Sequence, residues 1–451
     1  MTLREGNLEA PTRHPIDWKG ADYFDEAKTL VEMERVFDIC HGCRRCVSLC
    51  QSFPNLFDLI DATADGEVHG VDKKDYAKVV DQCYLCDLCY MTKCPYVPPH
   101  PWNVDFPHLM LRAKAIRYKK GEVGIGEKLL ASTDVHGQLA GIPIVVQVAN
   151  AANRTRPMRK LLDATLGVHP DAWLPPLANK RFRSGAAKSA TDTAKAIDGE
   201  RSPGKVAVFS TCLVNYNEPG IGDDLLRLLA HNDIPYEVVE KESCCGMPKL
   251  ELGDLEGVEK HKNANIPVLA RYAKEGWAIV SAIPSCTLMF KQELPFMFPD
   301  DADVRSVQAA MFDPFEYLVA RHRDGLLKTD FKTPLGKVSY HVPCHGRVQK
   351  IGKKTEEMLK LIGKSVTLEL NTVERCSGHA GTYGVKTETH PVAMKIGKPV
   401  FKAMGNGTPD FISSDCALAG HHIAQGMAEN GLPGARLAHP LSLVALAYGL
   451  K

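Results

Sequence analysis

The residues best placed to do chemistry are fifteen cysteines, and they fall into two groups. In the first, Cys40, Cys43, Cys46 and Cys50 are spaced C-x2-C-x2-C-x3-C, and Cys83, Cys86, Cys89 and Cys94 are spaced C-x2-C-x2-C-x4-C with Pro95 next. Three thiolates this close on a turning backbone can hold three corners of an iron–sulfur cube, and in two-cluster arrangements the fourth cysteine of each run serves the other cluster. By that logic Cys40, Cys43, Cys46 and Cys94 hold one [4Fe–4S] cluster, and Cys83, Cys86, Cys89 and Cys50 hold a second. Zinc sites favour paired C-x2-C units over triple runs. The extra residue between Cys89 and Cys94 departs from the regular spacing, while Pro95 keeps to it.

The second group, Cys212 to Cys416, belongs to an internal repeat. Lys205-Val-Ala-Val-Phe-Ser-Thr-Cys212 matches Lys337-Val-Ser-Tyr-His-Val-Pro-Cys344 at an offset of 132 residues, and Cys244-Cys245-Gly246 matches Cys376-Ser377-Gly378 at the same offset. Cys286 matches Cys416 at an offset of 130. Self-similarity on this scale means two copies of one domain. Adjacent thiolates strain to reach one metal atom but can reach different irons of one cluster, and the glycine allows close backbone approach. Copy one therefore offers Cys212, Cys244, Cys245 and Cys286 to a further cluster. Copy two has only Cys344, Cys376 and Cys416, with Ser377 where copy one has Cys245. Three thiolates suit a three-iron cluster, or a four-iron cluster completed by His345 or His379; the competing reading is a degenerate copy kept for packing. Amides of the turns at Gly42, Gly246 and Gly378 are candidate tuners of cluster potential.

Around these residues, apolar spacing predicts helices over Tyr23–Ile39, Asn55–Ala62 and Lys74–Gln82. Each copy of the repeat reads as strands alternating with helices, which implies a parallel sheet. The expected strands are 205–210, 236–240 and 278–282 in copy one, and 338–342, 365–370 and 411–413 in copy two. All seven cysteines follow these strands, at the sheet end where ligands gather. Between the groups lies a proline-rich exit, a basic helix candidate over His108–Lys120, an apolar stretch over Gly137–Ala152 and a basic patch at Arg154, Arg156, Arg159 and Lys160. Such a segment can lie on an anionic membrane, or its apolar face packs on a domain or partner. Lys188–Gly204, rich in Ala, Ser, Thr and Asp, reads as a mobile tether.

The chain has 451 residues, 44% hydrophobic and 24% charged, with a formal net charge of +1. Its length suggests about two to four domains. The charge balance argues against a nucleic-acid partner, and an odd cysteine count in a chain of this size argues against a secreted disulfide scaffold. Met1–Lys19 lacks a signal-peptide core and no stretch reaches the roughly 20 apolar residues of a spanning helix, so a cytoplasmic protein, at most peripheral on the membrane, is expected. Gly220-Ile-Gly222 lacks the third glycine and preceding strand of a dinucleotide fingerprint.

The layout resembles a known group. The first cysteine module, with its long spacer between runs, is similar to the helical ferredoxin modules of fumarate reductase iron–sulfur subunits and heterodisulfide reductase. The whole chain resembles the cysteine–cysteine–glycine iron–sulfur oxidoreductases, among them the C subunit of anaerobic glycerol-3-phosphate dehydrogenase, the fused catalytic subunit of heterodisulfide reductase, and the iron–sulfur subunits of glycolate and lactate oxidase systems. Tyr340-His-Val-Pro-Cys344-His345, Gly381-Thr-Tyr-Gly384 and His439-Pro440 favour the first of these. The motif's final C-x2-C has become Cys286-x2-Met289 and Cys416-x2-Ala419, which with Ser377 counts against a five-cysteine non-cubane cluster.

The expected fold class is α+β multidomain: an α-helical two-cluster ferredoxin domain (1–105), a helical basic and apolar linker (106–204), and a duplicated α/β cysteine–cysteine–glycine domain (205–330 and 331–451). The expected function is electron transfer between a partner dehydrogenase, a flavoprotein by the resemblance, and a quinone or other acceptor. The alternatives are a heterodisulfide or thiol–disulfide reductase acting at Cys244 and Cys245, and a scaffold whose clusters are redox-inert.

Overall fold

A computed structural model describes residues 10–137, 142–185 and 195–451. Its centre is a pair of four-stranded parallel sheets with the same topology. In the first, β1 (Val206–Phe209) lies between β2 (Tyr236–Val238) and β3 (Ala278–Ser281), and β4 (Met311–Phe312) pairs with β3. In the second, β5 (Gly336–His341) lies between β6 (Leu368–Val373) and β7 (Phe411–Ser414), and β8 (Arg436–Leu437) pairs with β7. Val206 pairs with Tyr236 and Ala278, and Val338 with Leu370 and Phe411, so the two copies share their strand pairing with a register shifted by one or two residues. Strands β1 and β3 are buried throughout, as strands covered by helices on both faces must be.

Two details differ from expectation. Each sheet has a fourth strand of only two residues, too short to leave a periodic signal. Strand β6 starts at Leu368 rather than 365, because helix Lys354–Ile362 runs into a turn whose backbone bonds reach Val366.

The N-terminal part is helical around its cysteines. Helix Glu26–Cys43 starts at Asp25, whose carboxylate caps the Lys28 amide, and buries Met33, Val36 and Phe37. Helix Ser52–Asp61 buries Phe53, Leu56, Phe57 and Ile60. The 74–82 stretch is a short 3-10 turn, Lys73–Tyr76, running into Ala77–Val80. Helix Phe106–Lys119 packs on helix Glu26–Cys43 and on helix Met247–Leu252 of the first repeat, which seats the N-terminal helical part against the first repeat. Residues 10–18 thread the same junction: Thr12 donates to the Pro98 carbonyl, Ile16 to that of Phe296, and the Trp18 indole to that of Met297.

The 106–204 segment does more than link. Helices Ile125–Leu130, Thr133–Gly137, Pro143–Ala152 and Arg156–Leu166 build its middle, and part of the apolar stretch, 138–141, lies outside the described residues. Of the expected tether, 188–194 lies outside them too, but 197–204 is fixed in place. The Ile197 carbonyl accepts from Arg321, Asp198 accepts from the Gly204 amide, and Arg201 and Ser202 both bond Asp324. That portion is therefore an anchored loop, held by ion pairing that composition does not reveal.

Candidate functional site: four groups of thiols

All fifteen cysteines are free thiols. The structure gathers them into four groups. Cys40 is half-buried within electrostatic reach of Cys94, Cys46 and Cys43; desolvation first, then these neighbours, pushes its thiol well up. Cys89 is pushed up by burial and by Cys86, Cys83, Cys46 and Cys50, and Cys50 goes up to about 12 through burial and Cys83. Cys94 is thus within electrostatic reach of Cys40 and Cys43, and Cys50 of Cys83, Cys86 and Cys89. Cys46 also neighbours Cys89, so the two groups are adjacent.

In the first repeat Cys212, Cys244, Cys245 and Cys286 form a chain of sulfur contacts, Cys212 to Cys244 to Cys245 to Cys286. Cys244 is held well below the usual thiol range, because the Cys212 and Cys245 thiols lie against its sulfur and the Gly246 amide donates to it. In the second repeat Cys344 is pushed up by burial and by Cys376 and Cys416. Burial also takes Cys416 up to about 11.

The backbone is shaped to serve sulfur. The Gly246 amide donates to Cys244 Sγ at 3.5 Å and the Gly378 amide to Cys376 Sγ at 3.4 Å, with φ of 98° and 84° at the two glycines. The same i+2 amide contact occurs at Cys50, Cys83, Cys86, Cys94 and Cys416. Leu85 and Asp87 alternate into positive φ, 52° and 58°, inside the second run. Such turns aim successive amides at one concave side, where they favour negative charge. Gly42 differs: it lies within helix Glu26–Cys43, where its amide serves the helix ladder.

The sequence phrases of the second repeat position its cysteines. The His341 ring bridges Ser414 Oγ (3.1 Å) and the Arg375 carbonyl (2.9 Å), next to Cys416 and Cys376. His439 Nε2 bonds the Asp415 carbonyl (3.0 Å), while its Nδ1 accepts from the Leu441 amide and so caps helix Pro440–Ala447. The Tyr340 hydroxyl donates to the Asp415 carboxylate, which also accepts from Thr355 at 2.8 Å. The loop Gly381–Gly384 docks this repeat onto the second cysteine run: Tyr383 donates to Gln82 (2.5 Å), and the Tyr84 and Thr382 hydroxyls meet at 3.2 Å. Cys86 consequently lies within reach of Cys344 and Cys376.

His345 and His379 sit differently. His345 Nδ1 is engaged by Ser285 Oγ at 2.8 Å, beside Cys286 of the other repeat, and its ring neighbours the Leu85 backbone, Asp87 and Glu293. It bridges the two repeats and the second cysteine run. His379 is half-buried with its ring 5.5 Å from that of His422, and desolvation takes it down to about 4, a neutral imidazole with Nε2 free of hydrogen bonds. Ser377 is buried, as are Met289 and Ala419 at the former C-x2-C ends.

Several neighbours escaped the sequence reading. Thr133 and Asp134, from the 106–204 segment, reach the first repeat's turn; Asp134 accepts from the Cys244 amide and the Ser243 hydroxyl, both at 2.9 Å. Glu251 is half-buried, its carboxylate packed against Gly381 of the second repeat, and desolvation pushes it up to about 7 against the pull of Lys114. Lys114 is itself buried and donates to the Cys83 and Glu251 carbonyls. Arg13 holds Asp87, inside the second run, through contacts of 2.6 and 3.0 Å, and holds Asp105 at 2.8 and 2.9 Å. Nothing in local spacing marks these residues, since each acts across a distant contact.

The donor sets fit iron–sulfur clusters. Each group joins buried or half-buried thiols to amide hydrogens, so thiolate charge there calls for a cationic core. Among the described residues no three metal-binding side chains close on a single point as one ion requires. A four-iron cube spreads its ligands over separate corners, which is the arrangement a ring of thiols serves.

Comparison with known proteins agrees with this architecture. The chain carries the cysteine-rich domain twice, over residues 206–291 and 338–423, each spanning the first three strands of one sheet and its cysteines. Among individual relatives it is 28% identical to the C subunit of the anaerobic glycerol-3-phosphate dehydrogenase of Escherichia coli K12, over 77% of this chain and 83% of that one. It is 27% identical to the B subunit of the CoM/CoB fumarate reductase of Methanothermobacter marburgensis, over 55% of this chain and 48% of that protein. It is 29% identical to lactate utilization protein A of Bacillus cytotoxicus, over 47% and 87%.

Proposed function

We propose that the chain is an iron–sulfur electron-transfer subunit of an oxidoreductase complex, exchanging electrons between a partner dehydrogenase, a flavoprotein by kinship, and a quinone or similar acceptor. The observation that carries this reading is the continuity of the thiol groups. Cys46 neighbours Cys89, Cys86 neighbours Cys344 and Cys376, and Glu251 senses the charge of Cys244 and in turn acts on Cys344 and Cys416. Redox groups held in that order would stand in file.

In this reading Cys40, Cys43, Cys46 and Cys94 hold one [4Fe–4S] cluster, and Cys50, Cys83, Cys86 and Cys89 the next. Cys212, Cys244, Cys245 and Cys286 hold a third cluster in the first repeat, and Cys344, Cys376 and Cys416 are a candidate site for a fourth. When bound, such clusters supply one-electron transfer. The protein contributes spacing, burial and amide donors to sulfur, which set potential. The domain boundaries at 105, 204 and 330 follow the same division of labour. A disulfide reductase acting at Cys244 and Cys245 gains little support, because both thiols are only 3% exposed.

The test is anaerobic purification with the native partner, followed by stopped-flow reduction through that partner and reoxidation by a soluble quinone. Cluster bleaching and recovery at matching rates is the expected outcome. Clusters that stay oxidised with the reduced partner would overturn the proposal.

A further inference from the structure

Helix Phe106–Lys119 and the residue after it carry Arg112, Lys114, Arg117, Lys119 and Lys120, and of these Lys114 alone is buried, 9% exposed. The others stay at or near the surface. Arg112 reaches the Tyr23 carbonyl, Arg117 pairs with Asp81, Lys119 lies over the Phe24 ring and Lys120 pairs with Glu26. Lys114 instead donates to the Cys83 carbonyl of the second cysteine run and, at 3.2 Å, to the Glu251 carbonyl of the first repeat. Its Nζ lies 4.5 Å from the Tyr84 ring centroid. The end of helix Met247–Leu252 sits directly on its backbone: a Cβ at Gly253, where φ is 85°, would stand 2.5 Å from the Lys114 carbonyl carbon. The lysine is therefore held in place rather than free to extend its stem into water.

The charges around it are already matched. Lys114 lines a cavity together with Tyr84, Arg117, Glu127, Glu251 and Lys386. There Arg117 pairs with Asp81, and Lys386 with Glu127 at 2.8 Å. Glu251 gives Lys114 its carbonyl, while its carboxylate packs against Gly381. At the same cysteine run Arg13 is matched by Asp87 and Asp105. Among the described residues Lys114 is thus a buried cation hydrogen-bonded to carbonyls, with no carboxylate in an ion pair with it. Burial lowers its pKa, and the charges of Cys83 and Glu251 oppose that fall. A buried charge persists where an opposite charge stands near. The second cysteine run, carrying thiolates, supplies one.

We infer that Lys114 is the counter-charge of the iron–sulfur cluster held by Cys50, Cys83, Cys86 and Cys89, and that it raises the potential of that cluster. The inference rests on the cluster assignment proposed above for this run. Lys114 ligates no iron; it is a positioning residue that acts through its charge. Reduction adds one electron to the cluster, taken from the partner dehydrogenase in the complex, and the ammonium offsets the added negative charge. No bond forms or breaks.

The holoprotein, purified anaerobically, is titrated with dithionite in the presence of redox mediators and followed by electron paramagnetic resonance, as wild type, Lys114→Met, Lys114→Gln and Lys114→Arg. Iron content is measured in the same samples. In Lys114→Met the reduced-to-oxidised ratio of one N-terminal cluster falls about tenfold at a fixed ambient potential, a shift of about 59 mV for a one-electron couple. Lys114→Gln keeps a donor for the carbonyls but no charge, and falls alike. Lys114→Arg keeps the charge and stays closer to wild type than either. The same titration in the Cys43→Ser background assigns the shifted signal to the second run. If Lys114→Met loses iron, Lys114→Gln decides. Iron loss in all three variants, Lys114→Arg included, gives the residue a structural role only and overturns the inference. So does an unchanged potential, or a shift of equal size in every cluster, and both leave the electron-carrier reading standing because mediators replace the partner. A wild-type protein with no reducible N-terminal cluster overturns both.

Discussion

Arg13→Met tests how the second cysteine run is held. Arg13 and Asp87 side chains are 5% and 3% exposed, and the guanidinium spans both Asp87 and Asp105 while lying 4.6 Å from the Tyr90 ring centroid. Asp87 sits between Cys86 and Cys89 at φ 58° and has one further donor, the Gln292 amide at 2.8 Å. Removing the cation strands a buried carboxylate, a change that costs about 3–5 kcal/mol. Asp87→Asn removes the stranded charge, keeps an acceptor for Gln292, and tolerates the left-handed backbone. The double variant Arg13→Met/Asp87→Asn should therefore recover most of the loss, with a coupling of roughly 2–3 kcal/mol. Anaerobic urea denaturation followed by tryptophan fluorescence measures all four corners of the cycle. A single-variant loss below about 1 kcal/mol, or strictly additive losses, would refute the reasoning.

Further outcomes follow from the same structure. At Gly246 an added Cβ meets nothing closer than 3.5 Å, so Gly246→Ala should cost only the positive-φ penalty, about 1–2 kcal/mol. At Gly378 it would lie 2.0 Å from the Ala393 carbonyl, so Gly378→Ala should be the more destabilising in the same denaturation assay. The pH profile of stability should fall at both ends. His341 and His439 are each held down to about 4 by burial, so the unfolded chain binds protons first and stability declines as pH falls from about 6.5 towards 4. His108 is raised to about 9 by Asp105 and Glu293 in spite of burial, so its contribution is complete below about 6.5 and is lost as pH rises through 9; His108→Gln should flatten that alkaline limb. Cys43→Ser should remove one N-terminal cluster, read as a fall of about four irons per chain. Ser377→Cys should raise iron content or alter its spectrum if the second repeat holds a cluster, and do neither if that repeat only packs.

The repeat was legible in the sequence because it is encoded locally, as a phrase copied at a fixed offset. The three main strands of each sheet were legible for the same reason, as short apolar runs ending at a cysteine. What escaped depends on distant contacts. Glu251 and Lys114 look like ordinary surface residues of helices, yet one packs its carboxylate against Gly381 and the other donates to the Cys83 carbonyl. Asp134 belongs to a segment read as linker, but accepts from the first repeat's cysteine turn. His345 had the right position beside Cys344 for a ligand; only the approach of Ser285 from the other repeat reveals its bridging place. The exposure of Ile144 and Val148, which bears on the two readings of the apolar stretch, likewise needed the packing of Val146 and Asn150.

Whether the thiol groups carry a file of clusters is met most directly by iron and acid-labile sulfide content of anaerobically purified protein, with electron paramagnetic resonance in oxidised and reduced states. About twelve to sixteen irons per chain are expected, with reducible signals beyond those of two interacting cubanes. About eight irons, with no signal beyond the N-terminal pair, would contradict a cluster in the repeats and leave the file of redox groups broken at Cys86.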